Sequence, residues 1–211
     1  MASIISAGTT SGTALNMSGD TTGNLAFQTA AGANTISVPN GTGTMVVNGV
    51  NSPLVSGTAQ ASTSGTSIDF TSIPSWVKRI TVIFNGVSTS GSSNYQIQLG
   101  TGGTPTTTGY TSNACRLYTP GGPSYQSATT GFLIPYDGAA YTPSGQIVFT
   151  NISGNTWVVQ GTVGTPANGL VLMIIITTGT VTLGGTLNLV RITTVNGTDT
   201  FDAGSINIQY E

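Results

Sequence analysis

Trp76-Val77-Lys78-Arg79-Ile80-Thr81-Val82-Ile83-Phe84 is the stretch that decides the fold class. Side chains on a strand alternate between two faces. Trp76, Ile80, Val82 and Phe84 fall on one face, with Lys78 among them near the strand start. Arg79, Thr81 and Asn85 share the other face with Val77 and Ile83. One face suits the inner side of a sandwich and the other is partly wet. Asn85-Gly86 then predicts a turn.

Outward from this strand the same texture repeats. Runs rich in strand-forming residues occur at 95–99, 113–118, 131–136, 146–151, 156–161, 170–178, 186–194 and 205–210. Gly, Asn, Pro and Ser clusters separate them, and no stretch sustains helical periodicity. Asn151-Ile152-Ser153-Gly154-Asn155 predicts a hairpin connection. Leu170 to Ile176 is apolar throughout and is expected to be a central strand covered on both sides. That run is far short of the ~18 residues that span a bilayer, so no membrane insertion is expected. About nine or ten strands across residues 53–211 predict an all-β domain, a jelly-roll-like β-sandwich. Trp76 and Trp157 sit in strong strands and are expected in its core.

Residues 1–52 read differently. Four brief strand candidates lie at 13–17, 24–28, 35–38 and 44–47, each with only one or two large apolar side chains. Such a segment cannot close a core alone, and oligomerisation is the route left when disulfides and strong metal sites are absent. The expectation is a short-stranded, intertwined N-terminal module. Leu15, Leu25, Phe27, Ile36, Val38 and Val46 would find partners on other copies. A linker is placed at Asn48-Gly49-Val50-Asn51-Ser52-Pro53.

Composition narrows the function. Charged residues make up 5% of the 211, against ~25% in ordinary globular chains. The hydrophobic fraction of 37% still supports folding. Net charge is −2, and the only cations are Lys78, Arg79, Arg116 and Arg191. Four scattered cations do not neutralise a run of phosphates, so no nucleic-acid partner is expected. The single cysteine, Cys115, excludes an intrachain disulfide framework and reads as a small strand residue. The start, Met-Ala-Ser-Ile-Ile-Ser, lacks the features of a signal peptide, so synthesis in a cytoplasm is expected.

Two stretches together resemble known proteins. Gly8-Thr9-Thr10-Ser11-Gly12-Thr13-Ala14-Leu15-Asn16, through Asn24-Leu25-Ala26-Phe27-Gln28-Thr29 to Thr35-Ile36-Ser37-Val38-Pro39, resembles N-terminal segments of tailed-bacteriophage fibre and tail proteins. Ile68-Asp69-Phe70 with Ile73-Pro74-Ser75-Trp76-Val77-Lys78-Arg79-Ile80-Thr81-Val82 resembles a C-terminal domain of the same class. The resemblance implies a homotrimeric virion appendage that is assembled in the host cytoplasm. Its N-terminal segment would attach to other virion proteins, in the baseplate, tail or capsid, and its β-domain would point outward. A tail fibre that contacts the host surface is the leading expectation. A capsid decoration or head fibre is the structural alternative, and a polysaccharide-degrading tailspike is the third.

The residues argue against catalysis. There is no histidine, which removes the commonest general base and the usual zinc ligand. A glycosidase needs two carboxylates about 5 to 9 Å apart, and the candidates are Asp20, Asp69, Asp137, Asp199, Asp202 and Glu211. Asp199 and Asp202 share one turn, which reads as a solvated loop, as a calcium site or as a catalytic pair. The expectation is no enzyme, no cofactor and no metal. Residues 102–142 hold Tyr110, Tyr118, Tyr125, Tyr136 and Tyr141 among Gly, Pro, Ser and Thr, a composition that binding loops favour. Tyr110, Tyr125 and Tyr141 are the candidate host-glycan contacts, with rim or seam packing as the other reading. Tyr118 and Tyr136 are expected to pack at strand ends.

Overall fold

β-branched and aromatic residues recur at alternate positions through most of the chain, which suits a pleated sheet buried on one side. The computed structural model describes residues 25–28, 35–38, 54–119, 121–136, 138–165 and 173–211. Among these there are strands and turns but no helix. The chain divides into two compact units, Met1–Ser52 and Pro53–Glu211. In the first, β1 (Leu25–Gln28) and β2 (Thr35–Val38) pair antiparallel, Leu25 opposite Val38. The predicted strands at 13–17 and 44–47 and the linker at 48–53 lie outside the described residues.

Among its described residues the second unit carries fourteen strands. They are β3 (Val55–Ser56), β4 (Gln60–Ala61), β5 (Ser67–Thr71), β6 (Arg79–Thr89), β7 (Tyr95–Thr101), β8 (Thr104–Pro105) and β9 (Thr111–Tyr118). There follow β10 (Ser124–Ala128), β11 (Phe132–Ile134), β12 (Ser144–Ser153), β13 (Thr156–Gly164), β14 (Met173–Thr182), β15 (Leu189–Thr194) and β16 (Phe201–Tyr210). A nine-stranded sheet runs β10-β9-β14-β13-β12-β6-β16-β3, with β4 also on β16. A five-stranded sheet runs β11-β7-β15-β5, with β8 also on β7. The core lies between them. Ile80, Val82, Phe84, Ile147, Phe149 and Ile175 fill it from the larger sheet, and Ile68, Phe70, Ile97, Leu99, Val190 and Ile192 from the smaller. Phe132 of β11 meets Phe149 of β12 across the layers at 5.5 Å between ring centroids. The fold is therefore an all-β, two-layer antiparallel sandwich.

Three details differ from the sequence expectations. First, Val77 donates to the carbonyl of Pro74, so residues 74–77 form a turn and β6 begins only at Arg79. The turn resets the alternation: Val77 is buried, while Trp76 is 53% exposed instead of in the core. Trp157 is in the core as expected. Second, Asn85-Gly86 is not a turn. Gly86, at φ +63°, sits inside β6 where the register against β16 shifts, which is a bulge. Third, β14 is central in its sheet but covered on one side only. Met173 and Ile175 are buried, whereas Ile174 and Ile176 are exposed. The hairpin at residues 151–155 forms as predicted between β12 and β13, with Gly154 at φ +52°.

Candidate functional site

Alternation on β9, β10 and β14 sends one set of side chains into the core and the other to the outer face of the larger sheet. Across that face Tyr125 stands opposite Cys115, and Cys115 opposite Ile176. One step along, Leu117 stands opposite Ile174. Asn113, Cys115, Tyr125, Ser127, Ile176 and Thr178 line a shallow groove of about 350 Å³. Tyr125 is 77% exposed, and Leu117, Ile174 and Ile176 are each about two-fifths exposed. None of these eight residues is charged. Arg116, between Cys115 and Leu117, points the other way, with its guanidinium 4.7 Å from the centre of the Tyr118 ring. The groove thus joins a flat aromatic ring and aliphatic side chains to one amide and two hydroxyls. That set can stack on an apolar ring face and exchange hydrogen bonds at its rim.

The three candidate tyrosines are not brought together. Tyr110 is a correction: it is 2% exposed, and its ring meets Phe132 edge-on at 4.9 Å inside the core. Its hydroxyl accepts from the Leu99 amide at 2.8 Å and lies 3.0 Å from the Thr106 carbonyl and 3.2 Å from the Leu99 carbonyl. Burial pushes its phenol up to about 12. Such a ring packs the sandwich and has no free face for a ligand. Tyr141 is partly buried against the same core, and its carbonyl accepts the Tyr136 hydroxyl at 3.0 Å. Tyr136 is buried and Tyr118 partly buried, both against the core. Only Tyr125 presents its ring to solvent. Its neighbours Asn113, Ser127 and Thr178 were not singled out from the sequence: alternation groups Asn113 with Cys115, Ser127 with Tyr125 and Thr178 with Ile176, and only the pairing of β9, β10 and β14 joins the three sets on one face.

The acidic turn is held by its own hydrogen bonds. The Asp199 carboxylate accepts from the Ser93 amide at 3.0 Å and from the Asn196 side-chain amide at 2.7 Å. Asn196 in turn accepts from the Thr194 hydroxyl and from the amides of Thr198 and Asp199. Asp202 takes the Ser88 hydroxyl. The two carboxylates therefore have separate partners, and Asp202 lies within β16, not in the turn that the sequence suggests it shares with Asp199. Elsewhere Asp69 holds Arg191 through two bonds of 2.7 and 2.6 Å, and Glu211 pairs with Arg79 at 3.2 Å. Asp20 and Asp137 lie outside the described residues. Among the described residues no group of three or more His, Cys, Asp or Glu could hold a metal ion.

Fold and face together define a class, an all-β sandwich with an uncharged groove on the outside of its larger sheet. Beyond that class, no family model, no curated protein and no solved structure matches the chain.

Proposed function

We propose that this chain is a homotrimeric structural component of a phage virion, a tail fibre whose jelly-roll-like outer domain contacts a glycan on the host surface. The carrying observation is the position of the Tyr125 groove. Tyr125 lies on β10, at one edge of the larger sheet, and the chain joins the domain at β3, at the other edge. Seven strand spacings separate those edges, about 33 Å along the sheet. A domain tethered to the virion at one edge would present such a groove on its free side. The exposed ring with an amide and hydroxyls around it suits a sugar, whose ring has an apolar face and a hydroxyl rim. The resemblance of the two quoted stretches to phage fibre proteins supports the same reading.

The test is adsorption of the purified protein to a panel of bacterial strains, with surface polysaccharide as competitor and light scattering for mass. Three chains per particle and polysaccharide-sensitive binding are expected, and Tyr125→Ala should lose the binding and keep the mass. Unchanged adsorption by the variant would remove the groove from the contact. Binding to empty capsids and not to cells would make the protein a capsid decoration.

A further inference from the structure

We infer that the Tyr125 groove takes a neutral sugar that carries a methyl group, in an acetamide or at a 6-deoxy carbon, and rejects an acidic one. The inference rests on the glycan-contact reading above and names the class of sugar. Strand pairing sorts the outward side chains of the groove into two rows. Tyr125 of β10, Cys115 of β9 and Ile176 of β14 stand in one row, and Ser127, Asn113 and Thr178 stand in the next. Neighbouring strands lie about 4.8 Å apart, so each row is about 10 Å long, and a step of two residues separates the rows by about 7 Å. Leu117 and Ile174 extend the apolar side one step further. The groove is therefore divided along the strand direction, with ring and aliphatic surface on one side and an amide and hydroxyls on the other.

The ligand has to be divided in the same way. A volume of about 350 Å³ is at the small end of ligand sites, which suits one or two sugar rings. An ordinary hexose carries hydroxyls around its whole rim, and those placed over Cys115 and Ile176 would leave water with nothing to bond. A methyl group in that place loses no hydrogen bond and covers apolar surface. The opposite edge of the sugar keeps its hydroxyls for Ser127, Asn113 and Thr178. Within the chain the Thr178 hydroxyl has only a long contact, 3.5 Å to the Asn113 carbonyl, so it is able to turn outward. A carboxylate suits neither row. No residue lining the groove is charged, and Arg116 points to the other side of β9, toward the Tyr118 ring. An acidic sugar would give up water there and meet no cation.

Titration of the full chain with matched methyl glycosides, read by saturation-transfer NMR, tests this. The pairs are N-acetylglucosamine with glucose and 6-deoxymannose with mannose, and glucuronic acid is the acidic member. In at least one pair the sugar with the extra methyl group should bind about fourfold tighter than its parent, the worth of one buried methyl, with the strongest saturation on the methyl protons. The pair that shows this identifies the source of the methyl. Ile176→Ser should abolish the preference, whereas Asn113→Ala should weaken both members of the pair alike. Three results would each overturn the inference and leave the glycan reading standing: parent sugars bound equally well, glucuronic acid bound more tightly, or neither methyl-bearing sugar bound while polysaccharide still blocks adsorption. No sugar bound and adsorption indifferent to polysaccharide would overturn both.

Discussion

Replacing Tyr110 with phenylalanine removes one oxygen atom and separates a core role from a surface role. On one side of β7, β11 pairs with Tyr95, Gln96 and Ile97, and β8 with Gly100 and Thr101. Leu99 falls between them, and the Tyr110 hydroxyl takes up its amide at 2.8 Å. The Leu99 carbonyl has a second donor, the Thr106 amide at 2.9 Å, so its loss is small. The amide has no such substitute in the variant. A buried amide left without an acceptor costs about 1–3 kcal/mol, and the phenylalanine ring leaves no cavity to add to it. For a unit of this size each kcal/mol lowers Tm by about 2–4 °C, which gives a drop of roughly 2–12 °C. Urea unfolding should show a lower midpoint with an unchanged slope. Tyr125→Phe, made beside it, should stay within about 0.5 kcal/mol of the parent. A Tyr110→Phe protein as stable as the parent would refute the assignment of this hydroxyl as the partner that completes β7.

Other outcomes follow from the same contacts. Burial raises the phenols of both Tyr110 and Tyr95, so the folded chain keeps protons that the unfolded chain releases. Stability should be full below pH 10 and fall as the pH rises through about 12, which denaturant melts across that window would reveal. A Cβ on Gly91 would fall inside the Asp199 carboxylate. Gly91→Ala should therefore cost about 1–3 kcal/mol by freeing the Ser93 amide, and an unchanged Tm would exclude that tether. The Thr177 hydroxyl is buried with no hydrogen-bond partner among the described residues. Thr177→Val keeps the shape, and chemical denaturation should find it neutral or up to about 1 kcal/mol more stable. Asp69→Asn breaks a two-bond pair whose side chains are each 31% exposed. It should cost roughly 1 kcal/mol and less in high salt, and a loss that salt does not reduce would count against the ionic account.

The sandwich was legible because most of its strands carry the period-two pattern that a one-sided sheet imposes. β6, the 151–155 hairpin and the buried Trp157 were all readable on that basis. The misreadings share a cause, which is that alternation has no absolute phase. A single turn at Pro74-Ser75-Trp76-Val77 inverts it, so Trp76 emerges where the pattern buries it. In β14 the apolar pattern is true of both faces, yet only one face is covered, and nothing local to Ile174 or Ile176 records that. The tyrosines failed differently. Tyr110 and Tyr125 have similar neighbours in sequence, and what buries one is a gap beside Leu99, a residue whose strand neighbours lie elsewhere in the chain. The uncharged face could be found by phasing β9 against β14, but only once their pairing was known.

The ladder between β6 and β16 joins parts of the chain made far apart in time. Arg79 and Glu211 are separated by 132 residues, and Asp69 and Arg191 by 122. Each of the two sheets thus needs a strand from near each end of the domain before it is complete. Loop closure of that length must precede the contacts that reward it, so folding belongs to the slow, millisecond-to-second class of all-β domains. On a ribosome β6 would wait with one side unpaired while the intervening strands are synthesised. A bare edge of that kind is open to pairing with another nascent chain. β6 carries a cation at its first residue, a device that blunts such pairing until β16 arrives to close it.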